Sequence, residues 1–187
     1  MQDDMKNVLE KAKREIGNVI QSLNSTTACF TGHRSQKLPW LFNEEDERCK
    51  VMVATLRTEI EKVIKSGYKT FLCGMSLGFD IICAETVLNL KERYSDIKII
   101  GALPCYVQDK KWKDKDKQRY RNILCRLDKV RCIYDEYIGA ECMHERNRYM
   151  VNNSSLMIAL YNGQNGGTKS TIEYAKQQGL KIVIINP

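Results

Sequence analysis

Near the C-terminus the stretch YNGQNGGTKSTIEYAKQQG (161–179) runs from an apolar segment through Gly163, Gly166 and Gly167 into a helix-like pattern beginning at Thr168. A glycine inside a regular element costs about 1 kcal/mol relative to alanine, so clustered glycines indicate positive φ or close approach of another molecule to the backbone. Two readings follow: a strand-to-helix turn, or a cradle for phosphate. If Thr168 opens a helix, the unpaired N–H groups and the positive dipole end there form an anion site. Thr168 and Thr171 could donate hydroxyls to phosphate oxygens, with Arg34 or Arg146 supplying charge-assisted contacts. No GK[ST] follows at Walker A spacing and GxGxxG is absent, which disfavours ATP hydrolysis and standard dinucleotide reduction.

Three other short segments have comparable chemistry. TGHRSQKLPW carries Thr31, Gly32, His33 and Arg34; CGMSLGFD carries Gly74, Met75, Gly78 and Asp80; LPCYVQDKKW carries Pro104 and Cys105. Each follows an apolar run. Taken singly, the glycines could be turn residues, Asp80 a helix cap, and His33 with Arg34 a surface pair. Together they place glycines, hydroxyls and charged groups where a single sheet edge would gather them.

The elements that would position these residues alternate along the chain. TACFTG, KTFLCG, IKIIGAL, VRCIY, SLMIALY and KIVIIN read as strands, and helical patterns separate them. The strands are rich in Ile, Leu, Val and Cys without polar alternation, as in a parallel sheet covered on both faces. The expected fold is α/β, a Rossmann-like, doubly wound, mainly parallel sheet with helices on both faces and right-handed crossovers. In such sheets ligands bind beyond the C-terminal strand ends, where all four segments would lie. Residues 1–24 read as an N-terminal extension and 25–187 as the single domain. Met5, Val8, Leu9, Ala12, Ile16, Val19, Ile20 and Leu23 make one apolar stripe on a helix, a candidate surface for homo-oligomer formation.

Composition narrows the function classes. With 187 residues, 43% hydrophobic and 28% charged, the chain reads as one ordinary globular domain. No apolar run approaches the ~20 residues that cross a bilayer and no signal segment is evident, so a cytoplasmic protein without membrane association is expected. The eight cysteines include no CxxC or CxxxC pair and only two histidines are present, so reduced core thiols are expected and no metal site. Of the +7 net charge, most lies in residues 109–131, where ten Lys or Arg face four Asp. Such a face can attract nucleic acid, but the interleaved aspartates favour a solvated helix.

The segments CFTGHRSQKLPW, CGMSLGFDIICAE, ALPCYVQDKKW and RNRYMVNNSSLMIALYNGQNGGTKSTIEYA together resemble the YpsA-like family of the SLOG superfamily, which joins the DNA-processing protein DprA (Smf) with the LOG phosphoribohydrolases. The resemblance runs from about Thr27 to Pro187. It implies a Rossmann-like domain that binds or senses a nucleotide-derived ligand of the ADP-ribose, NAD-related or cyclic nucleotide type, with no further cofactor required. By position it implies ligand contacts from Thr31 through Arg34, from Gly74, Gly78 and Asp80, and from Gly166, Gly167, Thr168 and Thr171. Cys105, Gln108, Trp112, Arg146, Asn147 and Tyr149 are similar to supporting positions. LOG enzymes carry a PGGxGTxxE pattern, whereas this chain lacks the proline, and its GTKSTIEYA is closer to the GSxxTxxxA of the DprA branch. Binding is therefore expected ahead of catalysis. The alternatives are a LOG-type hydrolase using Asp80, Glu85 or Glu173, and DprA-like binding of single-stranded DNA.

Overall fold

The computed structural model describes residues 11–17, 19, 22, 24–41 and 43–187. Its strands are β1 (Thr27–Gly32), β2 (Thr70–Cys73), β3 (Lys98–Cys105), β4 (Lys129–Tyr134), β5 (Leu156–Leu160) and β6 (Lys181–Ile185). Between them lie α1 (Glu47–Lys65), α2 (Phe79–Leu90), α3 (Asp114–Leu124), α4 (Glu141–Asn152) and α5 (Gly167–Gln177). A short 3-10 turn, Ser35–Lys37, follows β1. All strand pairs are parallel, in the order β4-β3-β2-β1-β5-β6.

Local sequence explains the ends and faces of the helices. Asp46 caps α1 by accepting the Arg48 N–H at 2.9 Å. Cys49, Met52, Leu56, Ile60 and Val63 then recur at steps of three and four on its buried side. Of α2, only Glu85 and Asn89 escape full burial, so this helix is wrapped nearly all round and makes a rigid mount for whatever its first turn carries.

Sheet order explains the two cores. From β1 to β4 each crossover moves the same way along the sheet, so right-handedness puts α1, α2 and α3 on one face. The chain then passes from β4 to the far side of β1, and α4 and α5 cover the other face. Ala28, Phe30, Phe71, Leu156 and Ile158 pack under the first helix layer. Their alternate neighbours Cys29, Leu72, Met157 and Ala159 pack with Met150, Val151, Ile172 and Ala175 under the second. Every strand of the centre is thus apolar on both sides, which is why the sequence shows runs and not alternation.

Residues 11–17 are helical, and Ile16 and Val19 are 60% and 59% exposed. Met5, Val8, Leu9, Ile20 and Leu23 of the N-terminal stripe lie outside the described residues. Among the described residues no helix is long and apolar enough to cross a membrane, and no three His, Cys, Asp or Glu side chains converge as a metal site would require.

Candidate functional site

The sheet changes winding direction between β1 and β5, so a crevice opens there beyond the strand ends. A cleft of about 390 Å³ occupies it, bordered by the exit of β1, the first turn of α2, one side of α4 and the glycine loop before α5. Gly78 lets two of these walls meet. Its φ is +101°, and a Cβ would lie 2.7 Å from Ser35 N and 2.9 Å from His33 O, so only glycine fits against the β1 exit.

Asp80 and Arg146 form the buried wall. Their side chains are 10% and 6% exposed, with Arg146 Nη1 3.8 Å from Asp80 Oδ2. Ser76 N also donates to Oδ2, at 3.1 Å. Burial raises the Asp80 pKa, opposed by Arg146, the Ser76 N–H and Arg34, while burial lowers that of Arg146. Arg146 is further engaged by the Gly74 carbonyl and, at 3.1 Å, by Ser76 Oγ. A Cβ on Gly74 would run into the guanidinium, which explains a glycine at a non-turn position. Arg146 therefore braces the 74–80 loop from inside instead of reaching out as a free phosphate ligand.

On the opposite wall, α5 begins at Gly167 with no side-chain cap and no acidic residue in its first turn. Its first N–H groups and dipole face the cleft bare. Gly166 has φ +147° and leaves room for the Lys37 ammonium, whose Nζ is 3.1 Å from where a Cβ would stand. Thr171 Oγ1 donates to Gly167 O at 2.7 Å and accepts from Asn147 Nδ2 at 3.0 Å, tying the loop to α4.

His33 joins the two strand exits. Its Nε2 lies 2.8 Å from Asn162 Oδ1, an oxygen that also accepts the Gln164 N–H at 3.1 Å, and 3.4 Å from the Asn162 backbone N. Burial is the main cause lowering the His33 pKa, with Lys37 adding to it and the Asn162 bond opposing it.

Of the residues singled out by sequence, Thr31, Gly32, His33, Arg34, Asp80, Arg146, Asn147, Gly166, Gly167 and Thr168 line this one cleft. Gly74, Gly78 and Thr171 stand behind it in supporting contacts, and Met75 is fully buried with φ +58° and its carbonyl held by Gln108 Nε2 at 2.7 Å. Pro104 and Cys105 are buried at the end of β3, outside the lining, and Gly163 sits in the loop after β5 with φ +87° and open space around it. Trp112 packs edge-on against Tyr120 with ring centres 5.0 Å apart, and Tyr149 packs on the second core, so neither offers a stacking face to the cleft. Glu85 is bound by Arg119 in a separate groove, and Glu173 lies on α5 facing Lys169 at 3.8 Å. Among the described residues Asp80 is the one carboxylate in the lining.

Lys37, Ser76, Met143 and His144 also line the cleft and were not singled out by sequence. Lys37 sits on a three-residue turn too short to leave a periodic signal, and Met143 with His144 had no glycine or strand exit to mark them.

A family model described as the YspA SLOG family matches residues 28–186. Among curated proteins, a UPF0398 protein of Brevibacillus brevis is 27% identical over 139 residues, covering 74% of this chain and 73% of that one. The SPbeta prophage-derived protein YoqJ of Bacillus subtilis is 30% identical over 128 residues, covering 63% and 75% respectively. Among solved structures, DprA of Streptococcus pneumoniae matches with a TM-score of 0.62 and 16% identity over 87% of this chain. DprA of Helicobacter pylori, whose structure concerns a single-stranded DNA binding mode, matches with a TM-score of 0.60 and 16% identity over 88%. The chain spans only 50% of the first DprA and 66% of the second, and at this identity the likeness is one of fold.

Proposed function

The chain belongs to the YspA SLOG family, and from that membership and the cleft at the sheet's switch point we propose that it binds or senses a nucleotide-derived ligand of the ADP-ribose, NAD-related or cyclic nucleotide type. The observation that carries the reading is the uncapped N-terminus of α5 opening into the 390 Å³ cleft through Gly166 and Gly167. Backbone amides there would hold phosphate, Lys37 and Arg34 would neutralise it, and Asp80 with His33 would meet hydroxyl or base edges. Turnover is no part of the proposal. Glu85 and Glu173 lie away from the cleft, and Asp80 has one oxygen already committed to Ser76 and Arg146.

A second reading, single-stranded DNA binding, draws on the DprA likeness and on Lys110, Lys111, Lys113 and Lys115, which have no carboxylate partner among the described residues. One experiment separates the two. A ligand bound to the native state raises Tm by mass action, by about 2.7 kcal/mol of stability at a hundredfold excess over Kd. At millimolar concentration, at least one of ADP-ribose, NAD and cyclic nucleotides is expected to raise Tm. No shift from any of them, with a shift from an oligodeoxynucleotide that vanishes as salt rises, would replace the first reading by the second.

A further inference from the structure

The two walls of the cleft ask for opposite chemistry. At the α5 end there are only donors and positive charge: the bare first-turn amides, Lys37 across from Gly166, and no acidic residue in the first turn. Lys37 has no carboxylate partner among the described residues. At the α2 end stands Asp80, 8% exposed. Its Oδ2 is taken by Ser76 N and faces Arg146, while no hydrogen bond from the described residues reaches Oδ1. An ionised carboxylate oxygen is purely an acceptor with two lone pairs, so what meets Oδ1 must bring hydrogen-bond donors. A phosphate cannot, because two anions at that depth would repel. The ligand's anion is thereby directed to Lys37 and α5, and its donor groups to Asp80.

We propose that the cleft is specific for a 5′-phosphorylated ribose unit, with Asp80 Oδ1 accepting the cis-diol and Lys37 closing the phosphate site against α5, and that it therefore discriminates against 2′-deoxyribose. In dinucleotide-binding sheets an acidic side chain accepts a ribose hydroxyl, and Asp80 Oδ1 offers the same chemistry from a different element. Gly74 and Arg146 serve it indirectly. The guanidinium, seated where a side chain on residue 74 would be, holds Oδ2 and the Ser76 hydroxyl and so fixes which oxygen is left for the ligand. His33 and Lys37 are carried on the β1 exit and its 3-10 turn, so anion binding at Lys37 draws on a different element from diol recognition at α2. The two contributions should then be separable by substitution.

This inference rests on the nucleotide-binding reading, and isothermal titration of the full-length protein with AMP and with 2′-deoxy-AMP tests it without any variant. A hydrogen bond to a charged group contributes about 1.5–3 kcal/mol, so AMP is expected to bind about ten- to a hundredfold more tightly than 2′-deoxy-AMP. Asp80→Asn, which keeps shape but turns an acceptor pair into an amide, should erase that ratio, whereas Lys37→Ala should weaken both ligands by the same factor. Equal affinities in the unsubstituted protein, or a ratio that survives Asp80→Asn, would overturn the diol assignment and leave nucleotide binding standing. Failure of both nucleotides to bind, together with no Tm shift from ADP-ribose, NAD or cyclic nucleotides, would remove both readings.

Discussion

At the scale of single residues, the Asp80–Arg146 pair shows why a buried ion pair can be both structural and functional. Removing two charges from water is repaid only if partners satisfy them, and here Ser76, Gly74 and the pair itself supply most of that. Arg146 Nε remains without a partner, so the arrangement is not optimised for stability alone. Replacing Arg146 by Met would leave a buried carboxylate without its cation and orphan the Gly74 carbonyl. Arg146→Met is expected to lower unfolding stability by about 3–5 kcal/mol, read from urea midpoints at an unchanged slope. The double variant Asp80→Asn/Arg146→Met should be destabilised by less than the sum of the single ones, since the second change removes the charge the first exposes. Strict additivity would mean that the two side chains do not sense each other. Sequence pointed to both residues but not to their pairing, because two strands and one helix separate the helices that carry them and nothing local links them.

At the scale of elements, strands and helices were legible because apolar runs of four to eight residues alternate with stretches of helical period. The glycines closing them were legible too; Gly67, for instance, ends α1 with φ +102°. What sequence left open was how the strand exits face one another. The exits of β1 and β5 are adjacent only because the chain crosses from β4 to the far side of β1, and the bridge between them, His33 to Asn162, spans 129 positions. Burial of the His33 ring at that bridge gives the fold a pH dependence. A histidine whose pKa is lowered in the folded state contributes stability that is present above its unfolded value of 6.5 and is lost as pH falls through the folded value. In that window the unfolded chain binds the proton first. The stability difference between the unsubstituted protein and His33→Gln should therefore shrink as pH falls below about 6.5, measured by chemical denaturation between pH 7.5 and 5. A difference constant across that range would show that His33 remains as easily protonated in the fold as outside it.

At the scale of the whole molecule, charge and apolar surface fall where they do not compete with the cleft. Part of the basic 109–131 segment is paired: Arg119 is held by Glu44 and Glu85, Arg121 faces Asp109 and Lys117 faces Asp114, while its Asp128 is taken by Lys91 from outside. Such exposed pairs add little stability each, yet they lower the field that the residue count alone would suggest. The N-terminal segment is different. Its described helical part presents Ile16 and Val19 at more than half exposure, three residues apart on one stripe. A single helix gains nothing by that arrangement, whereas a second copy laid along the stripe would bury both. Because both side chains are exposed, the paired substitution Ile16→Lys/Val19→Lys should change the domain's unfolding free energy by no more than about 0.5 kcal/mol per site. If copies associate through this stripe, multi-angle light scattering should record a dimer or higher oligomer for the original sequence and about half that mass or less for the variant. An identical mass for both would assign the stripe no part in assembly.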